Sequence, residues 1–326
     1  MNRENYIDLQ TKKILIAQIS GSTQECDLTK KPNCDGFGRI RHFRRYVDNW
    51  VDDTLPIDPA AKALGLPNQL PEINAQVFQN AFCNMSCWYC FVPDELKNAS
   101  TGAWFSADGL IDKFVNEKEQ SKVIDISGGN PELIPEFIKW TMEVLLKKGL
   151  QDKFYLWSDD TLSTDIMKEK LSAKEIKYMA SYPNYGKVCC FKGFDKQSHI
   201  FNSGSSADNY DKQFARLRYY IKAGFDTYGY ITLTTDSMVG ITKRIKSFFD
   251  RLQKDVHENF PLRIVPLKIF NFTPTSGRMQ TLHSQSIENQ KKVLDVWQEV
   301  LNKKFDNSQL NQNIADVDVR IGNDFF

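Results

Sequence analysis

The 326 residues carry 42 Lys and Arg against 41 Asp and Glu, a net charge of +1, so bulk electrostatics gives no reason to expect nucleic acid or an anionic membrane as the default partner. Hydrophobic residues at 41% beside 25% charged ones are ordinary for a globular protein in water, and no apolar run reaches the ~18 residues of a membrane span. The length accommodates one large α/β barrel or two smaller domains.

In chain order, the first 72 residues read differently from the rest. The start, "MNRENYIDLQTKK", has no apolar core followed by a small-residue cleavage site, so a secretory leader is not expected. After an apolar run at 14–19, residues 22–71 are punctuated by Pro and Gly, which argues against a long regular element. The expectation is an N-terminal extension packed on a barrel, without a core of its own. Within it Arg39, Arg41, His42, Arg44 and Arg45 interleave with Phe37, Phe43, Tyr46 and Trp50. Such mixing can serve RNA or an acidic partner; a charged, partly packed cap is the favoured reading.

From residue 73 strand-like and helix-like segments alternate. Strands are expected at 73–82, 121–128, 153–158, 187–193, 225–234 and 262–272, each a short apolar, β-branched or aromatic run bounded by Gly, Pro, Asp or Asn. Helices are expected at 107–118, 135–148, 164–181, 210–223 and 240–256. A last one, after residue 285, carries Ile287, Val293, Leu294, Trp297 and Val300 close to one face. Six strands separated by helices imply βαβ units and a parallel sheet, two units short of an eightfold barrel; a doubly wound open sheet fits the same pattern. The boundaries read as an extension over 1–72, the α/β unit over 73–305 and a polar tail over 306–326 that ends in a short strand.

Seven cysteines, an odd and clustered set, do not form a disulfide framework in a chain this long and point to a reducing cytoplasm. Three of them, Cys83, Cys87 and Cys90, follow the first expected strand in the spacing C-x3-C-x2-C. A closed zinc site wants four ligands, and the four histidines are scattered singly. A redox pair would use only two thiols. A 4Fe–4S cluster held by three cysteines keeps one iron free of protein ligands, and so reactive. The alternative is a zinc or unliganded cysteine loop. Cys26 and Cys34 are too few ligands for a second closed site. Cys189 and Cys190, adjacent on a strand, point to opposite faces.

C-x3-C-x2-C with the aromatic Tyr89 before its last cysteine resembles the signature of the radical SAM superfamily. The likeness extends over roughly residues 73 to 275. It implies a partial (β/α)6 TIM-like barrel that binds a 4Fe–4S cluster at Cys83, Cys87 and Cys90 and S-adenosyl-L-methionine beside it. Tyr89 would flank that ligand. "SGGNP" resembles the Gly-Gly-Glu-Pro motif that takes the amino group of S-adenosylmethionine, and so implicates Gly128, Gly129 and Asn130, with Asn130 where Glu is usual. An amide oxygen still accepts from an ammonium, without the charge. Ser158, at the end of the third strand, matches loosely. Lys192, at the end of the fourth, would pair with the ligand's carboxylate or else be an ordinary solvated lysine. Arg278 is a candidate for a substrate carboxylate or phosphate, or a surface arginine.

The implied activity is reductive cleavage of S-adenosylmethionine to a 5′-deoxyadenosyl radical, with an electron donor such as flavodoxin or ferredoxin. That radical would abstract hydrogen from a small-molecule or nucleotide substrate. An activase or peptide modifier acting on a protein partner, and a non-catalytic metal-binding α/β protein, are the alternatives. The absence of any cysteine after Cys190 gives no sign of an auxiliary cluster domain.

Overall fold

The computed structural model describes residues 3–97 and 99–322. Its centre is a seven-stranded sheet. The strands run β1 Ile7–Asp8, β2 Lys13–Ala17, β3 Gly38–Arg44, β4 Glu72–Gln79, β5 Gly102–Ser106, β6 Val123–Ser127, β7 Tyr155–Asp160, β8 Tyr185–Phe191, β9 Thr227–Thr232 and β10 Ile264–Leu267. The order in the sheet is β10-β9-β8-β7-β6-β4-β3. All neighbours are parallel except β3, which runs antiparallel on the edge of β4. Strand order therefore follows chain order without reversal. Right-handed crossovers then place every connecting helix on one face, which removes the doubly wound alternative and gives a curled half-barrel.

The helices are α1 Ile57–Leu64, α2 Ala107–Val115, α3 Pro135–Lys147, α4 Ile166–Lys170, α5 Ala173–Ala180, α6 Lys196–Ser203, α7 Ala207–Lys222, α8 Ile241–Arg251, α9 Thr273–Ser276, α10 Thr281–Lys304 and α11 Asn307–Leu310. The single helix expected over 164–181 is two. Ser172 caps α5 through a reciprocal box with Glu175, a local alternative that ends the first helix. The strand expected over 262–272 stops at Leu267 because the Gln290 side chain, on α10, takes both the N–H and the carbonyl of Ile269 at 2.9 Å. No strand forms among the described residues of the tail; its last four lie outside them. Val317 instead accepts from Arg263 Nε at 2.8 Å.

Strand alternation divides the side chains into two layers. Phe78, Ile124, Ile126, Leu156, Cys189 and Phe191 face the helices in the main core. Ile73, Val123, Tyr155, Trp157, Val188 and Tyr228 face inward. This inner apolar layer occupies the N-terminal half of the strands and is covered by Ile57 and Ala60 of α1. Above it the inward residues turn polar: Asp125, Ser127, Asp159, Cys190 and Lys192 continue the same columns.

The N-terminal 72 residues correct one expectation. They contain the seven-residue β3, whose inward residues Arg39, Arg41 and Phe43 pair with Val77, Ala75 and Ile73. Its period of two is concealed in the sequence because two of the three inward positions are arginines facing the polar half. Beyond β3 the chain crosses to the other end of the open sheet. Trp50 Nε1 donates to the carbonyl of Pro266 on β10 at 2.7 Å, and Tyr230 donates to Asp53 Oδ1 at 2.9 Å. Residues 48–55 thus form a strap over the inner face, an edge-to-edge cover for a sheet that does not close on itself.

Asp53 reports on that strap. Burial raises its carboxyl to about 6, against hydrogen bonds from Tyr230 and the Leu55 N–H. The folded chain therefore holds this proton more tightly than the unfolded chain, whose carboxyl titrates at 3.8. Its stabilising contribution, full below that value, is lost as pH rises through about 6. Asp53→Asn is expected to remove this slope, so the stability difference from wild type shifts across pH 4–6 and is constant above pH 7. Urea midpoints at stepped pH measure it, and a difference that does not change with pH would refute the assignment. No helix among the described residues is long and apolar enough to cross a membrane.

Candidate functional site

The cysteine loop leaves the C-terminal end of β4, the end where parallel α/β sheets collect their chemistry. Its start is tied to β2, the Ala81 N–H donating to the Leu15 carbonyl at 3.2 Å. One flank is held by Trp88, stacked on His283 at 4.5 Å and donating from Nε1 to Asn202 Oδ1 at 3.1 Å. The other is held by Arg278. Its guanidinium donates to the carbonyls of Cys90 at 2.6 Å, Cys87 at 3.3 Å and Val92 at 3.3 Å. Arg278 is therefore occupied with the loop backbone, where the sequence allowed it a substrate anion.

All seven cysteines are unpaired. Burial pushes the Cys83 thiol up to about 12, and the proximity of Cys87 and Cys90 adds to it. Burial also raises Cys87, partly offset by the Lys192 ammonium. The surroundings of Cys83 and Cys87 thus penalise free thiolates, a charge that a bound cation would take up. Among the described residues no three His, Cys, Asp or Glu side chains converge on a point where one metal ion would sit. Three free thiols on one loop are the type of donor set that an iron–sulfur cluster takes.

Next to this loop, β6 is followed by Gly128 and Gly129, both in the left-handed region at φ 73° and 63°. A Cβ on Gly129 would collide with the Phe82 and Asn80 carbonyl oxygens, so glycine lets this turn press directly on the backbone that enters the cysteine loop. The Asn130 N–H donates to Phe82 O at 2.8 Å. Its side chain is fully buried. Nδ2 donates to Asn84 Oδ1 at 2.6 Å, Glu132 Oε1 at 3.1 Å and Ser163 Oγ at 3.1 Å, while Oδ1 is buried without a partner. The amide is locked with its acceptor unused.

Glu132 belongs to a network the sequence reading missed. It accepts from Thr161 Oγ1 at 3.0 Å and from the Ser163 N–H at 2.9 Å. Burial, then Asp160, raises its carboxyl well above the usual range. Asp160 meets Lys187 at 2.6 Å, both side chains at 0% exposure. Burial works against the charge on each, yet Lys187 holds Asp160 below the usual carboxylate range and is itself raised. Burial therefore favours the neutral acid at Glu132, while the Asp160–Lys187 pairing favours the charged form of both partners. The Lys187 ammonium also lies 4.6 Å from the Tyr220 ring centre. A sequence signal existed: Glu132 stands two residues beyond Asn130.

On the inner face the structure gathers Tyr89 and Lys192 but not Ser158. Tyr89 meets Thr232 Oγ1 at 3.0 Å across the chamber. Lys192 is raised despite burial because Tyr89, Cys190 and Cys87 lie close to its ammonium. Ser158 points the other way, into the helix layer, with its hydroxyl 2.7 Å from that of Tyr185. Alternation along β7 places Asp159 on the inner face instead, where it accepts from Ser127 at 2.7 Å. Cys189 and Cys190 split as expected, the former at 0% exposure in the main core.

No family model matches the chain, and no curated protein matches it. Several solved structures are similar to it, some of them with bound S-adenosylmethionine. Streptococcus suis SuiB bound to S-adenosylmethionine shares 14% identity at a TM-score of 0.39, over 55% of this chain and 37% of that one. Native anSMEcpe with bound AdoMet shares 15% at 0.44, over 60% and 51%. A spore photoproduct lyase mutant with bound AdoMet and a dinucleoside spore photoproduct shares 11% at 0.44, over 69% and 72%. The chain thus spans about a third to a half of the first two of these proteins.

Proposed function

We propose that this chain is a radical SAM enzyme acting on a small molecule or nucleotide. The observation that carries the reading is the pinned loop of three free thiols at the C-terminal end of the first parallel strand, with the Gly128–Gly129 turn pressed against it. Cys83, Cys87 and Cys90 would hold a 4Fe–4S cluster. When bound, that cluster supplies an electron to S-adenosylmethionine at its free iron and so yields the 5′-deoxyadenosyl radical. Its electron would come from a one-electron donor such as flavodoxin or ferredoxin.

The chain's own residues orient the ligand and exclude water. The unused Asn130 Oδ1 and the carbonyls of the glycine turn accept from the ligand's ammonium, Lys192 pairs with its carboxylate, and Tyr89 flanks it. The strap over 48–55, bonded to β9 and β10, walls the inner face. It supports a small substrate over a protein partner. Seven unpaired cysteines suit a reducing cytoplasm.

Anaerobic reconstitution with iron and sulfide, followed by dithionite reduction and S-adenosylmethionine, tests the reading. About four irons per chain and release of 5′-deoxyadenosine are expected. Zinc in place of iron, or a reconstituted cluster with no 5′-deoxyadenosine, would overturn it.

A further inference from the structure

Arg39 stands out among the charged groups of the molecule. It is 6% exposed, its Nε is buried without a partner, and its side chain makes no hydrogen bond or ion pair among the described residues. Buried guanidinium groups are otherwise paired, because an unpaired charge loses its hydration with nothing in return. The Arg39 guanidinium carbon lies 5.4 Å from the Phe91 ring centre, next to the third cysteine of the loop. From there β3 carries Arg41 to the same inner face, in register with Ala75. Arg41 reaches Asp125 by one long contact, Nη1 to Oδ2 at 3.4 Å, and Asp125 Oδ1 is buried without a partner.

Resting on the radical SAM reading, we propose that Arg39 and Arg41 form the substrate's anion seat: the substrate carries a carboxylate or phosphate that docks on this pair, between the cysteine loop and the apolar floor. A planar guanidinium fork presents two parallel donors to such an oxyanion. The charge balance favours it. Arg39, Arg41 and Lys192 face Asp125, Asp159 and Asp53, and burial raises Asp125 to about 7, so at neutral pH the three cations meet fewer than three full negative charges. Burial first, then the neighbouring Arg41 charge, works against the Arg39 guanidinium and brings it down to about 10. An arriving anion relieves both. Below the pair, Phe43, Tyr155, Trp157 and Tyr228 form a closed apolar layer, fully packed and buried, that bounds the seat on that side. Because Lys192 approaches from β8, at the far side of the chamber, the ligand's own carboxylate has a separate partner.

Titration calorimetry of the full chain with inorganic phosphate, and separately with acetate, tests this. Saturable binding of at least one anion is expected in wild type. Arg39→Gln should weaken it at least tenfold and Arg39→Lys, which keeps the charge without the fork, several-fold. Arg44→Gln should leave it unchanged, since Arg44 is 63% exposed on the same strand. S-adenosylmethionine affinity of the reconstituted protein should stay within twofold in all three. Phosphate binding alone or acetate binding alone identifies which oxyanion the seat takes. Absence of saturable binding to either, an undiminished affinity in both Arg39 variants, or equal loss of S-adenosylmethionine binding in them would overturn the proposal. Arg41→Gln provides the same readout if Arg39→Gln does not fold. The anion titration needs no cluster, so failed cluster assembly with intact anion binding would fault the radical SAM reading and leave the seat standing.

Discussion

Alanine at Cys83, Cys87 or Cys90 is expected to abolish the brown absorbance of the reconstituted protein and all 5′-deoxyadenosine formation, a loss of at least several orders of magnitude in rate. Each thiolate would be the only protein ligand of its iron, and neither Cys189, sealed in the helix-side core, nor Cys34, buried in the extension, is placed to replace one. Replacement of Cys26, Cys34, Cys189 or Cys190 should leave the cluster intact, with a modest stability loss at the buried Cys189, on the order of 1 kcal/mol. Iron and sulfide analysis alongside the visible spectrum measures the effect. A triple-alanine variant that still takes up four irons would remove these three residues from the ligand set.

Lys187→Met is the largest stability effect expected. It leaves Asp160 without its cation at 0% exposure, beside a Glu132 whose burial favours the neutral acid. Breaking a buried pair by removing one partner costs about 3–5 kcal/mol, whereas replacing both partners is far milder. Lys187→Met with Asp160→Asn should therefore recover a large part of the loss. The same single variant should weaken S-adenosylmethionine binding, because Glu132 then loses its fixed relation to Asn130 Nδ2 at 3.1 Å. Urea unfolding of the two variants decides: a Lys187→Met protein within 1 kcal/mol of wild type would mean the pair carries no such charge.

The sequence by itself determined what depends on short-range pattern. Runs of alternating or fully apolar residues bounded by turn formers placed all six parallel strands within a few residues of their positions, because each strand's period of two is written locally. Six strand–helix repeats were enough to expect a parallel sheet. The three cysteines stood out for the same reason: they sit within eight positions, and nothing distant is needed to see them. The split of Cys189 from Cys190 followed from alternation alone.

Tertiary structure decided the rest. Ser158 and Asp159 are neighbours in sequence, and only the sheet's orientation says which faces the chamber. The two arginines of β3 looked like surface charge until the antiparallel pairing turned them inward. Asn130 appeared as a lone weakened substitute; its locked amide, with Glu132, Asp160 and Lys187 behind it, arises from the turn after β6, the end of β7 and the body of β8 brought together. Trp50 and Asp53 reach partners 216 and 177 residues away. Such contacts leave no local period, because their stability comes from burial and pairing between segments whose sequences are otherwise independent, and only the folded chain brings those segments within reach.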